Sequence, residues 1–87
     1  MKISDLPDEN DRAAVLKFAQ SFNGYEHFGS FKACADAAKL QKRETLTDLQ
    51  NELFLCYRAA NHHGDPEGVQ HAYRELLPYF RKLLESR

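Results

Sequence analysis

Apolar residues recur along the chain at helical spacing in four stretches, and short runs that contain Gly or Pro separate them. The inward positions of the first stretch, at i, i+3, i+4 and i+7, are Val15, Phe18, Ala19 and Phe22. Asp8 is its predicted N-cap, because an aspartate there can accept hydrogen bonds from the free amides of the opening turn. Asn23-Gly24 is the predicted end, since glycine suits the left-handed residue after a helix.

The second predicted helix begins after Ser30, its N-cap, and runs to about Leu40. Its apolar positions are Phe31, Cys34, Ala35 and Ala38. Most of these side chains are small, so we expect neighbouring helices to approach closely. The third predicted helix opens at Thr45 or Thr47 and ends at His63-Gly64. Its stripe comprises Leu46, Leu49, Leu53, Cys56, Tyr57 and Ala60.

Asp65-Pro66 starts the fourth predicted helix, because proline in the first turn sacrifices no intrahelical hydrogen bond. Its apolar face is the broadest of the four and comprises Val69, Ala72, Tyr73, Leu76, Leu77, Phe80, Leu83 and Leu84. This helix is therefore the predicted centre of the fold. Pro78 lies inside the pattern, which continues in phase beyond it, so we expect one helix with a kink near Arg74 to Leu77.

No alternating β-branched run supports a strand. The pattern predicts an all-α fold, a compact bundle of about four helices in a single domain over residues 1–87. The chain length and the 43% of apolar residues agree with one small domain. Ten of its residues are Phe or Tyr, and most of these are expected to serve the core.

Charge and termini narrow the classes of partner. Twelve Lys and Arg against thirteen Asp and Glu give a formal net charge of −1, so no general field attracts nucleic acid or anionic lipid. No apolar run approaches the roughly 18 residues of a membrane span, and the first residues, MKISDLPDENDR, carry no signal core. We expect a cytoplasmic protein, in which Cys34 and Cys56 stay reduced.

Enzymatic chemistry has little support in the sequence. Three histidines lie near the turn between the third and fourth predicted helices: His62, His63 and His71. They lack the paired spacing typical of a zinc site, and the sequence shows no nucleophile that would partner them. Cys34 lies a full turn inside a helix on its apolar face, where a thiol is usually inert. We therefore predict no enzyme activity, no catalytic residue, no metal and no cofactor.

A DNA-binding alternative rests on the second and third helices, which resemble a helix-turn-helix in length. The candidate contacts are Lys42 and Arg43 for phosphates and Thr47, Gln50 and Asn51 for base edges. Glu44, Asp48 and Glu52 lie among them and would oppose the phosphate field. Thr45 and Thr47 serve equally well as helix caps.

The segment from Gly24 to Gly29 holds two aromatic residues and a histidine between glycines. Loops lie at the surface and often carry binding residues, so Tyr25, His27 and Phe28 are candidate loop contacts. The alternative is that Tyr25 and Phe28 fold back over the core, which the need of a small domain for apolar area favours.

Leu55 is the bulky apolar residue that lies out of phase on the third helix, about 180° from Leu46. Ala59 lies one turn further on the same side, and Phe54 flanks it. Three alternatives could cover this side: the first helix, the second helix or a second polypeptide. The leading hypothesis is a non-enzymatic interaction or regulatory module that binds another protein, or a second copy of itself, through Phe54, Leu55 and Ala59.

Two segments carry a resemblance: NGYEHFGSFKACADAA, residues 23 to 38, and TLTDLQNELFLCYRAANHHGDPE, residues 45 to 67. Together they are similar to a group of small bacterial proteins of unknown function, in which an aromatic-glycine segment precedes a Thr-Leu-Thr helix. The resemblance implies a bacterial or phage source and an intracellular location, and it implies no activity, cofactor or site residue.

Overall fold

The computed structural model describes residues 1–22 and 28–85. A 3-10 turn at Ile3–Asp5 precedes four α-helices within these ranges: α1 (Arg12–Gln20), α2 (Phe31–Lys39), α3 (Leu46–His63) and α4 (Pro66–Glu85). No strand occurs in the two ranges. The all-α bundle predicted from the hydrophobic pattern is confirmed.

The start of α1 corrects the sequence prediction. Asp11, not Asp8, is the N-cap, and its Oδ1 accepts a hydrogen bond from the Ala14 amide at 3.1 Å. Asp8 instead closes a local turn, in which its Oδ1 accepts from the Asn10 amide at 2.9 Å. That turn delays the helix by three residues. At its other end α1 stops at Gln20, and the predicted stop at Asn23-Gly24 lies outside the described residues.

The starts of α2 and α3 follow the local capping chemistry. The Ser30 hydroxyl accepts from the Ala33 amide at 3.1 Å, as predicted. Of the two candidate starts of α3, Thr45 is the N-cap: its hydroxyl accepts from the Asp48 amide, and the Asp48 carboxylate accepts from the Thr45 amide. This reciprocal capping box satisfies two amides that the helix leaves free.

The connection between α2 and α3 contains two non-glycine residues with positive φ, Gln41 at 47° and Arg43 at 48°. Such a conformation costs on the order of 1–2 kcal/mol for each residue. Arg43 compensates by binding both long helices. Its guanidinium donates to Glu52 of α3 at 2.8 and 3.1 Å and to Glu75 of α4 at 3.0 Å, and it lies 5.1 Å from the ring centre of Tyr79.

The corner between α3 and α4 is tight and follows the predicted pattern. Gly64 has a φ of 70°, which glycine adopts without strain, and its amide donates to the Ala60 carbonyl. The Asp65 Oδ1 then accepts a hydrogen bond from the Gly68 amide at 3.3 Å, and Pro66 is the first residue of α4. The two longest helices therefore lie side by side.

α4 is the central helix, as its broad apolar face predicts. It packs on α3, on α1 and on the 3-10 turn, whereas α2 packs chiefly on α3. The buried apolar cluster comprises Val15, Ala19, Leu49, Leu53, Ala60, Val69, Tyr73, Leu76, Leu77 and Phe80. Phe18 packs edge-on against both Tyr73 and Phe80, with ring centres 5.7 Å apart in each pair.

Pro78 lies within α4, which continues across it to Glu85. The single helix was the predicted outcome; the kink itself stays a prediction. None of the helices in the described ranges combines the length and the apolar composition that crossing a bilayer requires.

Candidate functional site

A groove runs along the surface between α2 and α3, with a volume of about 410 Å³. Its lining residues come from both helices: Phe31, Ala35, Leu55, Arg58, Ala59, His62 and His63. Leu55 is half-buried, and Ala59 is exposed. Two of the three residues predicted to bind a partner therefore share this groove.

The composition of α2 explains why a groove forms here. Ala33, Ala35, Ala37 and Ala38 give the helix short side chains, so it approaches α3 without filling the space beside the contact line. Cys34 forms the contact itself and is fully buried. On α3, the groove is lined by Leu55 and, one turn further along, by the smaller Ala59.

Phe31 differs from its predicted position. It was expected on the inward face of α2 with Cys34, yet it is 55% exposed. It is the first residue of the helix, about 60° from Cys34 around the helix axis, so few neighbours surround it. The Arg58 guanidinium of α3 lies 5.4 Å from its ring centre, a cation–π distance. Phe31 therefore forms one wall of the groove with its ring open to solvent.

Phe54, the third predicted residue, lies on the other side of α3. It lines a separate cleft between α1 and α3, of about 520 Å³, together with Gln20, Ser21, Phe22, Tyr57, Arg58 and Asn61. Arg58 lines both cavities. The predicted surface is thus divided by the α3 ridge, with Leu55 and Ala59 on one side and Phe54 on the other.

A third cleft, of about 350 Å³, lies where α1 meets the corner between α3 and α4. Its lining residues are Leu16, Gln20, Tyr57, Ala60, Asn61, Gly64, Pro66 and Val69. None of these side chains carries a formal charge, and half of them are apolar. The cleft shares Gln20, Tyr57 and Asn61 with the Phe54 cleft, so the two are continuous along α3.

The loop candidates are placed only in part. Phe28 is half-buried, which agrees with a side chain that contributes to packing. Tyr25 and His27 lie outside the described residues.

Two of the five candidate DNA contacts are occupied within the chain. Asn51 is 2% exposed, and its side-chain amide donates to the Cys34 carbonyl at 3.0 Å. The side chain of Arg43 is 11% exposed and bound by Glu52 and Glu75. Asn51 is buried in the α2–α3 contact, where its Oδ1 has no hydrogen-bond partner among the described residues, and the Arg43 guanidinium is bound between α3 and α4. Neither side chain is available to a duplex in this conformation. Lys42 is exposed, and Thr47 and Gln50 are half-buried.

The three histidines do not form one cluster. His62 and His63 lie in the last turn of α3 with ring centres 5.1 Å apart, and both line the groove. His71 is on α4 and lines none of the three cavities described above. Over residues 1–22 and 28–85, no three side chains of the metal-binding types come together.

Both cysteines are free thiols in the structure. Burial raises the pKa of the Cys34 thiol. Burial, aided by the nearby carboxylates of Glu52 and Glu75, also raises the pKa of the Cys56 thiol. A raised pKa keeps a thiol protonated near neutral pH, which opposes a nucleophilic role for either residue.

We did not predict Arg58, Phe31 or Ala35 as site residues from the sequence, and we considered His62 only as part of a histidine cluster. A signal for two of them was present, because Leu55, Arg58, Ala59 and His62 fall at i, i+3, i+4 and i+7, a single helix face. No local pattern could have paired this face with Phe31 and Ala35, since their contact depends on how α2 docks.

Compared with protein-family models, curated proteins and solved structures, the chain has no significant match. The resemblance carried by residues 23–38 and 45–67 therefore stays a prediction.

Proposed function

We propose that this protein is a non-enzymatic interaction module that binds another protein through the groove between α2 and α3. One observation carries the proposal: a phenylalanine that is 55% exposed stands beside Leu55 and Ala59 in a groove with no visible role in the core. Burying the exposed part of that ring against a partner would contribute on the order of 1 kcal/mol to the binding free energy. Exposed apolar patches often mark protein-binding sites.

The partial burial of Leu55 also supports a binding role for the groove. Leu55 is half-buried and is absent from the cluster that fills the interior. On the same helix, Leu49 and Leu53 are fully buried. Leu55 therefore contributes less to stability than its neighbours and is free to serve an interface.

A DNA-binding function has weaker support. It needs Arg43 for phosphates and Asn51 for base edges, and both side chains already make contacts inside the chain. A role as a helix-turn-helix would require these contacts to be exchanged for contacts with the duplex, which would cost the Asn51 link between α2 and α3 and the Arg43 link between α3 and α4.

The test is affinity capture from a lysate of the source cells with three baits: wild type, Leu55→Glu and Leu40→Glu. Leu40 is 65% exposed at the end of α2 and does not line the groove, so it is a matched control for adding a carboxylate. We expect a protein that wild type and Leu40→Glu retain and Leu55→Glu loses.

Sedimentation of the three purified chains tests the same groove for self-association. A wild-type dimer that Leu55→Glu alone abolishes would identify a second copy as the partner. Identical captured proteins and identical sedimentation for all three chains would contradict the proposed function.

A further inference from the structure

Of the four helices, α2 contributes least to the core. It has nine residues, and Cys34 is the one that is buried. α1 has the same length, but it buries Val15 and Ala19 and packs on both long helices, whereas α2 packs chiefly on α3. Elements with few buried apolar contacts open at a lower free energy than the fold as a whole. α2 is therefore the helix that leaves the bundle at the smallest cost.

The contact between α2 and α3 contains a buried polar atom without a partner. Asn51 of α3 is 2% exposed, and its side-chain amide donates to the Cys34 carbonyl of α2 at 3.0 Å. The Asn51 Oδ1 is also buried, and it accepts no hydrogen bond within the described part of the chain. A buried acceptor without a donor destabilises the state that buries it, because water solvates the same atom once it is exposed. The docked position of α2 therefore carries a cost that its release removes.

The backbone has positive φ on both sides of α2. Gly29, directly before the Ser30 cap, has a φ of 81°, which glycine adopts without strain. Gln41, two residues after the end of the helix, has a φ of 47°, which is unfavourable for a residue with a Cβ. Rotation at these two residues turns α2 as a unit, and it relieves the strain at Gln41. Gly29 and Gln41 are therefore suited to act as hinges.

Arg43 fixes the chain beyond the second hinge. Its guanidinium is bound by Glu52 of α3 at 2.8 Å and by Glu75 of α4 at 3.0 Å, and its side chain is 11% exposed. Neither carboxylate belongs to α2, so both contacts persist when α2 moves. A movement of α2 is thus confined to the segment between Gly29 and Gln41.

We propose that α2 is a flap, which opens from α3 about Gly29 and Gln41 while α1, α3 and α4 stay folded. Opening exposes the Cys34 thiol and Asn51, and it separates the two walls of the groove between α2 and α3. A partner that contacts both walls would hold the flap closed. The flap goes beyond the proposed function and does not depend on it, because it is a property of the unbound chain.

Thiol labelling measures this opening directly. Cys34 is 0% exposed, so a reagent such as iodoacetamide reaches its sulfur only in an open state. The control is Val15→Cys, because Val15 is also 0% exposed, lies on α1 and is close to cysteine in size. Mass spectrometry of peptides from this variant gives the labelling rates of Cys34 and of the thiol at position 15 in the same molecules. Thermal unfolding shows that the variant retains the fold.

We expect Cys34 to react roughly a hundredfold faster than the thiol at position 15, or more, because opening of α2 costs less than global unfolding. The Cys34 rate should change little in urea below the unfolding transition, since a local opening exposes little surface. The rate at position 15 should rise steeply with urea. Equal rates, or an equal dependence on urea, would overturn the flap, because α2 would then open only with the whole bundle.

Gln41→Gly tests the hinge. Glycine relieves the strain of the closed state, so we expect Cys34 labelling to slow by about three- to tenfold, allowing for the greater freedom of glycine in the open state. Gln41→Ala is the matched control: it keeps a Cβ and hence the strain, so its labelling rate should stay within about twofold of wild type. Gln41 is exposed, so neither variant loses a core side chain. Labelling of Gln41→Gly as fast as that of Gln41→Ala would overturn the hinge at Gln41.

Discussion

The hydroxyl of Tyr73 holds the N-terminal segment against the central helix. It donates to the Pro7 carbonyl at 2.6 Å, and the side chain is fully buried. Burial raises the pKa of Tyr73 to about 12. An acid whose pKa is raised on folding stabilises the fold below its unfolded value, about 10, and this contribution is lost as pH rises through 12.

Tyr73→Phe should therefore have opposite effects at two pH values. At pH 7 we expect a loss of about 1 kcal/mol in the free energy of unfolding, the typical net value of one hydrogen bond. Near pH 12 the wild type should lose on the order of 2–3 kcal/mol that the variant does not lose, so their order reverses. Urea unfolding at pH 7 and at steps from 10 to 12 measures this. A constant difference across pH would contradict it.

The roles of two polar residues could not be predicted from the sequence. Asn51 and Arg43 are polar residues near a helix start, and in sequence they look available to a ligand. Their partners are the carbonyl of Cys34, 17 residues away, and Glu75, 32 residues away. Nothing local in the sequence encodes contacts of that range, so their role in packing could not be predicted.

At the scale of the helix, boundaries were predictable where capping is local. Each of three predicted cap residues makes a hydrogen bond to the backbone within four residues: the Ser30 and Thr45 hydroxyls accept from amides, and the Gly64 amide donates to a carbonyl. All three lie where the sequence predicts them. The start of α1 was misplaced because Asp8 and Asp11 are both competent caps. The choice between them depends on the N-terminal segment, which Tyr73 and Gln70 hold against α4 through the Pro7 and Glu9 carbonyls.

Pro78 is the element-scale feature that invites a test. Proline in a helix interior costs roughly 3 kcal/mol, and its rigidity in the unfolded chain returns about 1 kcal/mol. Pro78 is exposed, so alanine there would meet no core side chain. We expect Pro78→Ala to raise the free energy of unfolding by about 1–2 kcal/mol.

Pro66→Ala is the matched control for that variant. Pro66 is the first residue of α4, where no intrahelical hydrogen bond is lost, so we expect almost no gain. Denaturant unfolding of both variants measures the difference. A Pro78→Ala protein less stable than wild type would mean that the predicted kink at Pro78 is needed to pack both halves of α4.

At the scale of the whole molecule, the hydrophobic pattern gave the bundle and its central helix, because amphipathic stripes must face one another. The same pattern predicted that Leu55 lies on the side of α3 that faces away from the core. The groove wall formed by Phe31 and the cation over its ring depend on the docking of α2, which no stripe specifies. Phe54 lies across the ridge because consecutive residues of a helix point about 100° apart, and its cleft forms against α1.

The proposed function requires α3 to turn Leu53 into the core and Leu55 into the groove. Thermal unfolding of Leu53→Glu and Leu55→Glu, measured side by side with wild type, tests this most directly. A carboxylate at the fully buried Leu53 should cost more than about 4 kcal/mol and leave little folded protein. Leu55→Glu should melt within a few degrees of wild type. If Leu55→Glu unfolds as Leu53→Glu does, Leu55 belongs to the core and the groove is not a binding site.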